Sequence, residues 1–253
     1  MDLGLKGLKA VLAGASKGIG RATTEVLAAE GCDVALCARG REGVDKAIAS
    51  LKDKRVKVLG EAVDIGDAEA YKGWVMRAAE QLGGCDIFIS FGSAKGGPAT
   101  EESFKGTFTL DLMGTFRGIE AAQPYLERSK AGSIVVLGST AAFEDFAGPQ
   151  AYNALKAGVI NYAHALSQSL APKGIRVNIV SPGPTWVDGG DWEYIKGAMP
   201  DFFASVMKTM PMGRMAKDDE VARTIAFVAS PACRAMTGTN IVVDAGFTKR
   251  VQY

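Results

Sequence analysis

At 253 residues, 47% hydrophobic and 23% charged, the chain can bury a sizeable core and is globular in composition, not disordered. Its net charge of +1 excludes an electrostatic footprint for nucleic acid or an acidic membrane surface. A single histidine, His164, excludes a histidine-rich metal site, and no run is apolar enough for a signal peptide or a membrane span.

Short apolar runs alternate with helical patterns. Lys9 to Ala13 reads as a strand and Ile19 to Glu30 as a helix; Asp33 to Ala38 follows as a strand and Glu42 to Lys52 as a helix. Val56 to Val63 is a strand, Ala68 to Gln81 a helix, Asp86 to Phe91 a strand, and Glu102 to Arg128 helical. Ser133 to Leu137 is a strand, Ala151 to Ala171 a long helix and Ile175 to Val180 a strand. Helices are expected across Trp192 to Lys208 and Asp218 to Ala229, and Ile241 to Val243 is the last strand. The strands are continuous apolar runs without in/out alternation, as in strands covered on both faces. Their βαβ order predicts an α/β fold: a doubly wound, parallel, seven-stranded Rossmann-type sheet with helices on both faces. No linker, repeat or low-complexity tract interrupts residues 1–253, which read as one domain with a substrate lid at about 185–215. Ligands of such sheets bind beyond the carboxyl ends of the strands, so functional residues are expected just after strands.

The four cysteines, Cys32, Cys37, Cys85 and Cys233, form no C-x-x-C pair. Cys37 and Cys85 lie in or beside apolar strand-like runs, so buried thiols in a reducing cytoplasm are expected. Leu137-Gly138-Ser139-Thr140-Ala141 is not a G-x-S-x-G elbow, which argues against a serine hydrolase. His164, within an amphipathic stretch, reads as a packing or surface residue.

After the first strand, Gly14-Ala15-Ser16-Lys17-Gly18-Ile19-Gly20 opens directly into a helix. Glycines let the backbone approach a pyrophosphate, and the helix N-terminus offers it unpaired N–H groups. The spacing is G-x-x-x-G-x-G, not the commoner G-x-G-x-x-G. Farther on, Tyr152 and Lys156 stand at i and i+4, on one face of a helix. A neighbouring cation favours the phenolate and makes tyrosine usable as an acid or base near neutral pH. Ser139 directly follows a strand on the same expected sheet edge, where its hydroxyl can polarise a substrate oxygen. With this glycine spacing, length and Y-x-x-x-K pair, the chain resembles the short-chain dehydrogenase/reductase family of the simple single-domain type. That resemblance implies hydride transfer between a nicotinamide dinucleotide and a carbonyl/alcohol pair, with Ser139, Tyr152 and Lys156 as the catalytic set.

At the end of the second strand, Leu36-Cys37-Ala38-Arg39 carries no acid to receive a ribose 2′-hydroxyl. Arg39 and Lys17 can instead pair with a 2′-phosphate, so NADP(H) is the expected cofactor. Asp64-Ile65 resembles the family's adenine-flanking pair, although Asp64 or Asp67 can equally cap the next helix. Ser90-Phe91-Gly92-Ser93 stands where the family has N-N-A-G, with Ser90 and Gly92 expected near the cofactor. Ala13 replaces the usual Thr on the neighbouring strand, so both partners of a polar link are altered, which predicts a repacked sheet. Pro182-Gly183 resembles the family's nicotinamide-side turn, with Thr185 and Val187 as candidates for the carboxamide contact. Asp111 stands where the family has a relay Asn, so the resemblance implies it as a fourth catalytic residue accepting from a relay water, with its carboxylate near Lys156; Tyr152 and Lys156 are also implied as cofactor contacts.

Trp186, Trp192, Tyr194, Met199, Phe202, Phe203 and Met207, with the loop Phe143-Glu144-Asp145-Phe146, suggest either an apolar or aromatic substrate or a lid packed on the core. A 3-oxoacyl-carrier-protein reductase is the alternative the family offers, with Lys130 and Lys173 as docking residues. A non-catalytic NADP(H)-binding sensor is the other, disfavoured because sensing needs no proton donor. Leu155, Val159, Ile160, Ala163, Leu166 and Leu170 along one helix suggest helix-to-helix association, and the family implies a homotetramer.

Overall fold

In the computed structural model, residues 1–145 and 147–251 are described; Phe146, named above with the expected substrate loop, lies outside them. Among the described residues the strands in chain order are β1 (Lys9–Ala13), β2 (Asp33–Ala38), β3 (Val58–Ala62), β4 (Ile87–Ser90), β5 (Ser133–Leu137), β6 (Arg176–Pro182), β7 (Thr185–Trp186), β8 (Ala216–Lys217) and β9 (Asn240–Val243). Seven of them form one parallel sheet in the order β3-β2-β1-β4-β5-β6-β9, while β7 and β8 pair separately. The helices are α1 (Gly18–Ala29), α2 (Arg41–Ala49), α3 (Ala68–Leu82), α4 (Glu101–Thr107), α5 (Gly114–Leu126), α6 (Ala151–Leu170), α7 (Asp191–Ala198), α8 (Pro200–Thr209) and α9 (Asp218–Ala229).

The apolar runs exist because both sheet faces are covered. Along β1, Val11 and Ala13 enter a core shared with α3, α5 and α6. Ala10 and Leu12 enter the opposite core, with α1, α2 and α9. All four are fully buried. Each fully buried Leu or Ile contributes roughly 1.5–3 kcal/mol. The edge strands β3 and β9 are only half-buried along most of their length, as expected where one side lacks a partner strand.

Local chemistry sets the helix ends. Asp67 caps α3 by accepting from Ala70 N at 3.1 Å, and left-handed Gly83 ends that helix. The helical stretch across Trp192 to Lys208 is divided into two helices, because Pro200 cannot continue α7 and starts α8. The sheet order reverses between β1 and β4, which opens a crevice beyond their carboxyl ends.

Candidate functional site

The glycine turn lies at this crevice. Gly14 has φ +80°, and a Cβ there would stand 3.1 Å from the Phe91 carbonyl carbon and 3.2 Å from Gly92 N. At Gly20 a Cβ would come within 2.8 Å of Ala15 Cα. Both positions are therefore closed to larger residues, and the turn is drawn tight under the start of α1. No side chain caps α1, and its first turn holds no acid. Its first N–H groups face a cleft of about 710 Å³ whose floor is Gly14, Ser16, Lys17, Gly18, Ile19 and Gly20. This cradle fits a pyrophosphate. At one end of the cleft stand Arg39 and, on the adjoining wall, Asp64 and Ile65. Asp64 does not cap α3; its Oδ1 accepts from Gly66 N at 2.8 Å and holds the turn. At the other end stand Gly92, Pro182, Gly183, Thr185 and Val187. The Thr185 hydroxyl donates to Gly183 O at 2.9 Å.

Ser139 and Tyr152 line this cleft together. Ser139 Oγ accepts from Ala141 N at 3.2 Å, so its own proton is left for another acceptor. Tyr152 sits in the first turn of α6. Lys156, one turn on, is 2% exposed and stands behind it, with Nζ 5.5 Å from the Tyr152 ring centroid. Lys156 Nζ donates to Leu137 O at 2.9 Å.

Asp111 lies on a π turn, Phe108–Met113, between α4 and α5. Such wide turns recur at functional sites. Its side chain is fully buried, and Oδ1 is 3.1 Å from Lys156 Nζ as an ion pair. That oxygen lies off the hydrogen-bond axis and has no hydrogen-bond partner among the described residues. Oδ2 accepts from Ala94 N at 2.8 Å. The Asp111 carbonyl is also engaged, accepting from Thr115 Oγ1 at 2.7 Å.

Ser90 does not line the cleft; its hydroxyl is 3.2 Å from Thr115 Oγ1, and the wall at this level is Phe91, Gly92 and Ser93. The reason is the pleat: Ser90 is in register with Ala13, whose side chain enters the core with α3, α5 and α6, so its hydroxyl points to that same face, toward Thr115 of α5. The strands stay joined through the backbone, Phe91 N donating to Ala13 O at 2.9 Å.

A second cleft of about 330 Å³ adjoins the first beside Ser139 and Tyr152. It is lined by Lys95, Gln150, Asn153 and Asp191 on polar walls and by Trp192 and Phe247 on apolar ones. Sequence reasoning missed Lys95, Gln150 and Asp191, which carry no motif. Most lid aromatics do not face this cleft. Trp186, Phe202, Phe203 and Met207 pack with Val206, Met210 and Met215 in a small core of their own, while Tyr194 and Met199 point outward. Phe143 lies under the Arg250 guanidinium at 4.0 Å.

The remaining candidates have structural partners. His164 Nδ1 is 2.9 Å from Gly238 O, and Lys173 Nζ pairs with Glu127 at 2.7 Å. All four cysteines are unpaired and buried. Burial pushes the Cys37 thiol up to about 12, and the Cys32 thiol to about 12 with help from Asp86 and Asp33. Among the described residues no acidic, histidine or cysteine group could hold a metal, and no helix is long and apolar enough to cross a membrane.

A family model described as enoyl-(acyl carrier protein) reductase matches residues 14–248. Isoepoxydon dehydrogenase of Penicillium expansum is 33% identical over 257 residues, covering 100% of this chain and 99% of that protein. The 3-oxoacyl-[acyl-carrier-protein] reductase of Staphylococcus aureus is 30% identical, covering 94% of this chain and 96% of that protein. The crystal structure of L-sorbose reductase from Gluconobacter frateurii, complexed with NADPH and L-sorbose, superposes with a TM-score of 0.90 at 28% identity. That likeness covers 99% of this chain and 100% of the other. The parallel sheet, the glycine cradle at its switch point and the near-complete coverage of these matches agree: the chain belongs to the short-chain dehydrogenase/reductase family of oxidoreductases.

Proposed function

We propose that the chain interconverts a carbonyl compound and a secondary alcohol with NADP(H), using Tyr152 as general acid and base. The observation that carries this is the placement of the buried Lys156 ammonium behind the Tyr152 ring, with Ser139 on the same cleft wall. When bound, the dinucleotide supplies or accepts the hydride. The chain's own residues handle the oxygen. Ser139 Oγ already accepts from Ala141 N, so its O–H is directed to the substrate oxygen and polarises the carbonyl. Tyr152 delivers the proton to that oxygen in reduction and removes it in oxidation. Lys156 stabilises the phenolate left behind. Asp111, paired with Lys156, shares that charge, so the field of Lys156 on Tyr152 is weaker than that of a lone cation.

The uncapped start of α1 would hold the pyrophosphate, and Asp64 with Ile65 would flank the adenine. NADP(H) is preferred over NAD(H) because Arg39 and Lys17 line the cleft where an acid would otherwise take the ribose. Pro182, Gly183, Thr185 and Val187 would meet the nicotinamide side.

The substrate is a ring-sized carbonyl compound with an apolar or aromatic face for Trp192 and Phe247. Gln150 and Asn153 on the opposite wall favour one that also bears hydroxyl groups. A relative named for isoepoxydon and a neighbour solved with L-sorbose support the hydroxylated version. A carrier-linked thioester is a weaker reading, since Lys173 is engaged by Glu127. The unpaired, buried thiols support a reducing cytoplasmic setting. A homotetramer is the proposed assembly.

An NADPH-oxidation assay against aromatic ketones, hydroxylated cyclic enones, ketoses and a 3-oxoacyl thioester tests the reading. Turnover is expected with a ring-sized ketone and falls about 10²–10⁴-fold in Tyr152→Phe. Tight NADPH binding with no turnover across the set would instead favour a sensor.

A further inference from the structure

The segment after β4 is a strap that runs between the two clefts. At its root, Ala94 N donates to the buried Asp111 carboxylate at 2.8 Å. Gly97 N donates to Gln150 Oε1, at the residue before α6, at 3.2 Å. Between these points Lys95 adopts a left-handed backbone (φ +68°), and its N–H donates to Ser93 Oγ at 3.0 Å. The strap is thus fastened to rigid elements on both sides of Lys95, which fixes where that side chain starts. Its ammonium forms an ion pair with Asp191, the first residue of α7. Lys95 and Asp191 each line both clefts, so the pair stands where the two clefts meet.

The other end of this contact is loosely held. No residue of α7 is buried. The helix follows Gly189 (φ +68°) and Gly190, residues that absorb backbone rotation easily. Its apolar contacts run through one residue: Trp192 stacks on Phe202 of α8 with ring centroids 6.3 Å apart, in a small cluster that also holds Ala245 and Phe247. An element with few buried residues opens locally at low free energy.

We propose that Lys95 and Asp191 form a latch that fastens the α7 lid to the fixed strap, and that breaking this pair is the step that opens the cleft. Both side chains are about half exposed, 52% and 62%, so the pair is weak enough to part repeatedly. The latch is also neutral overall when closed, which leaves the subsite without a free charge among the described residues and fits an uncharged, hydroxyl-bearing substrate. This consequence rests on reading the two clefts as cofactor groove and substrate subsite; the latch itself does not.

Hydrogen exchange measured by mass spectrometry on the whole chain tests the latch without turnover. In Lys95→Met and in Asp191→Asn the amides of α7 are expected to exchange about two- to fivefold faster, the range an exposed ion pair supports. Amides of β5 and α6 should not move. The swapped pair Lys95→Asp with Asp191→Lys should restore slow exchange, and 1 M salt should bring the unaltered protein to the rate of the single variants. Unchanged α7 exchange in the singles and in salt, or a swap that fails to restore it, overturns the latch. A failed substrate screen alongside faster α7 exchange would sink the proposed reaction and leave the latch standing.

Discussion

Replacing Lys156 with methionine isolates the energetics of the buried ion pair. The Lys156 and Asp111 side chains are 3% and 0% exposed, with charged atoms 3.1 Å apart. Removing one partner of a buried pair costs about 3–5 kcal/mol, because the other charge is left uncompensated. Here Asp111 keeps its bond from Ala94 N, so the lower end, about 3 kcal/mol, is expected. For a domain of this length that is roughly 6–12 °C in Tm. Adding Asp111→Asn should recover most of the loss, because the amide oxygen still accepts from Ala94 N and no charge remains. Urea unfolding of the unaltered chain, the single variant and the double variant, followed by far-UV circular dichroism, reads these values. If Lys156→Met unfolds within about 0.5 kcal/mol of the unaltered protein, Asp111 carries no charge that Lys156 compensates, and the reasoning fails.

Arg39→Ala should weaken NADPH about 10- to 150-fold, the loss of a charge-assisted hydrogen bond, while leaving NADH nearly unchanged; fluorescence titration of both cofactors decides. The Cys32 and Cys37 thiols, pushed up to about 12 by burial, should resist iodoacetamide at pH 8 in the folded chain and react at once in urea. Their raised values stabilise the fold fully below the ordinary thiol range, and that stability is lost as pH climbs from about 8.5 toward 12, which alkaline unfolding curves will register. Phe116→Glu should reduce the mass seen in light scattering if α5 lies in the assembly interface, because Phe104, Phe108 and Phe116 are large apolar side chains left exposed.

Much of the fold is legible because a two-faced sheet demands unbroken apolar strands. Asp33 to Ala38 and Ser133 to Leu137 match β2 and β5 end to end. The two-residue strands β7 and β8 leave no readable period, since pairing them depends on a contact between distant segments. By its sequence the long helix α6 has apolar surface to spare. Val159, Ala163 and Leu170 belong to the core, and Ile160 and Leu166 pack against it, so the exposed apolar patch lies elsewhere. In the site, the glycine turn, Ser139 and Tyr152 are visible because each sits just after a strand or on a helical repeat. Asp111 is visible only as a departure from a pattern; its grip on Ala94 is not. Lys95 and Asp191 are 96 positions apart and ordinary in type, so only the folded chain brings them together.

The π turn at Phe108–Met113 has a consequence for chain length. An α-helix advances about 100° per residue, so the wide turn accommodates an extra residue without rotating the helix beyond it. Deleting Leu112 or Met113 would let α4 and α5 merge into a regular helix, turning Asp111 about a quarter-circle relative to Ile119 and Leu126, which the core holds fixed. Asp111 would then face neither Lys156 nor Ala94. Deletions of Leu112 and of Met113 should therefore behave alike, while substitutions at these two positions should differ from one another. The insertion, as much as the carboxylate it carries, is what puts a charge behind the lysine.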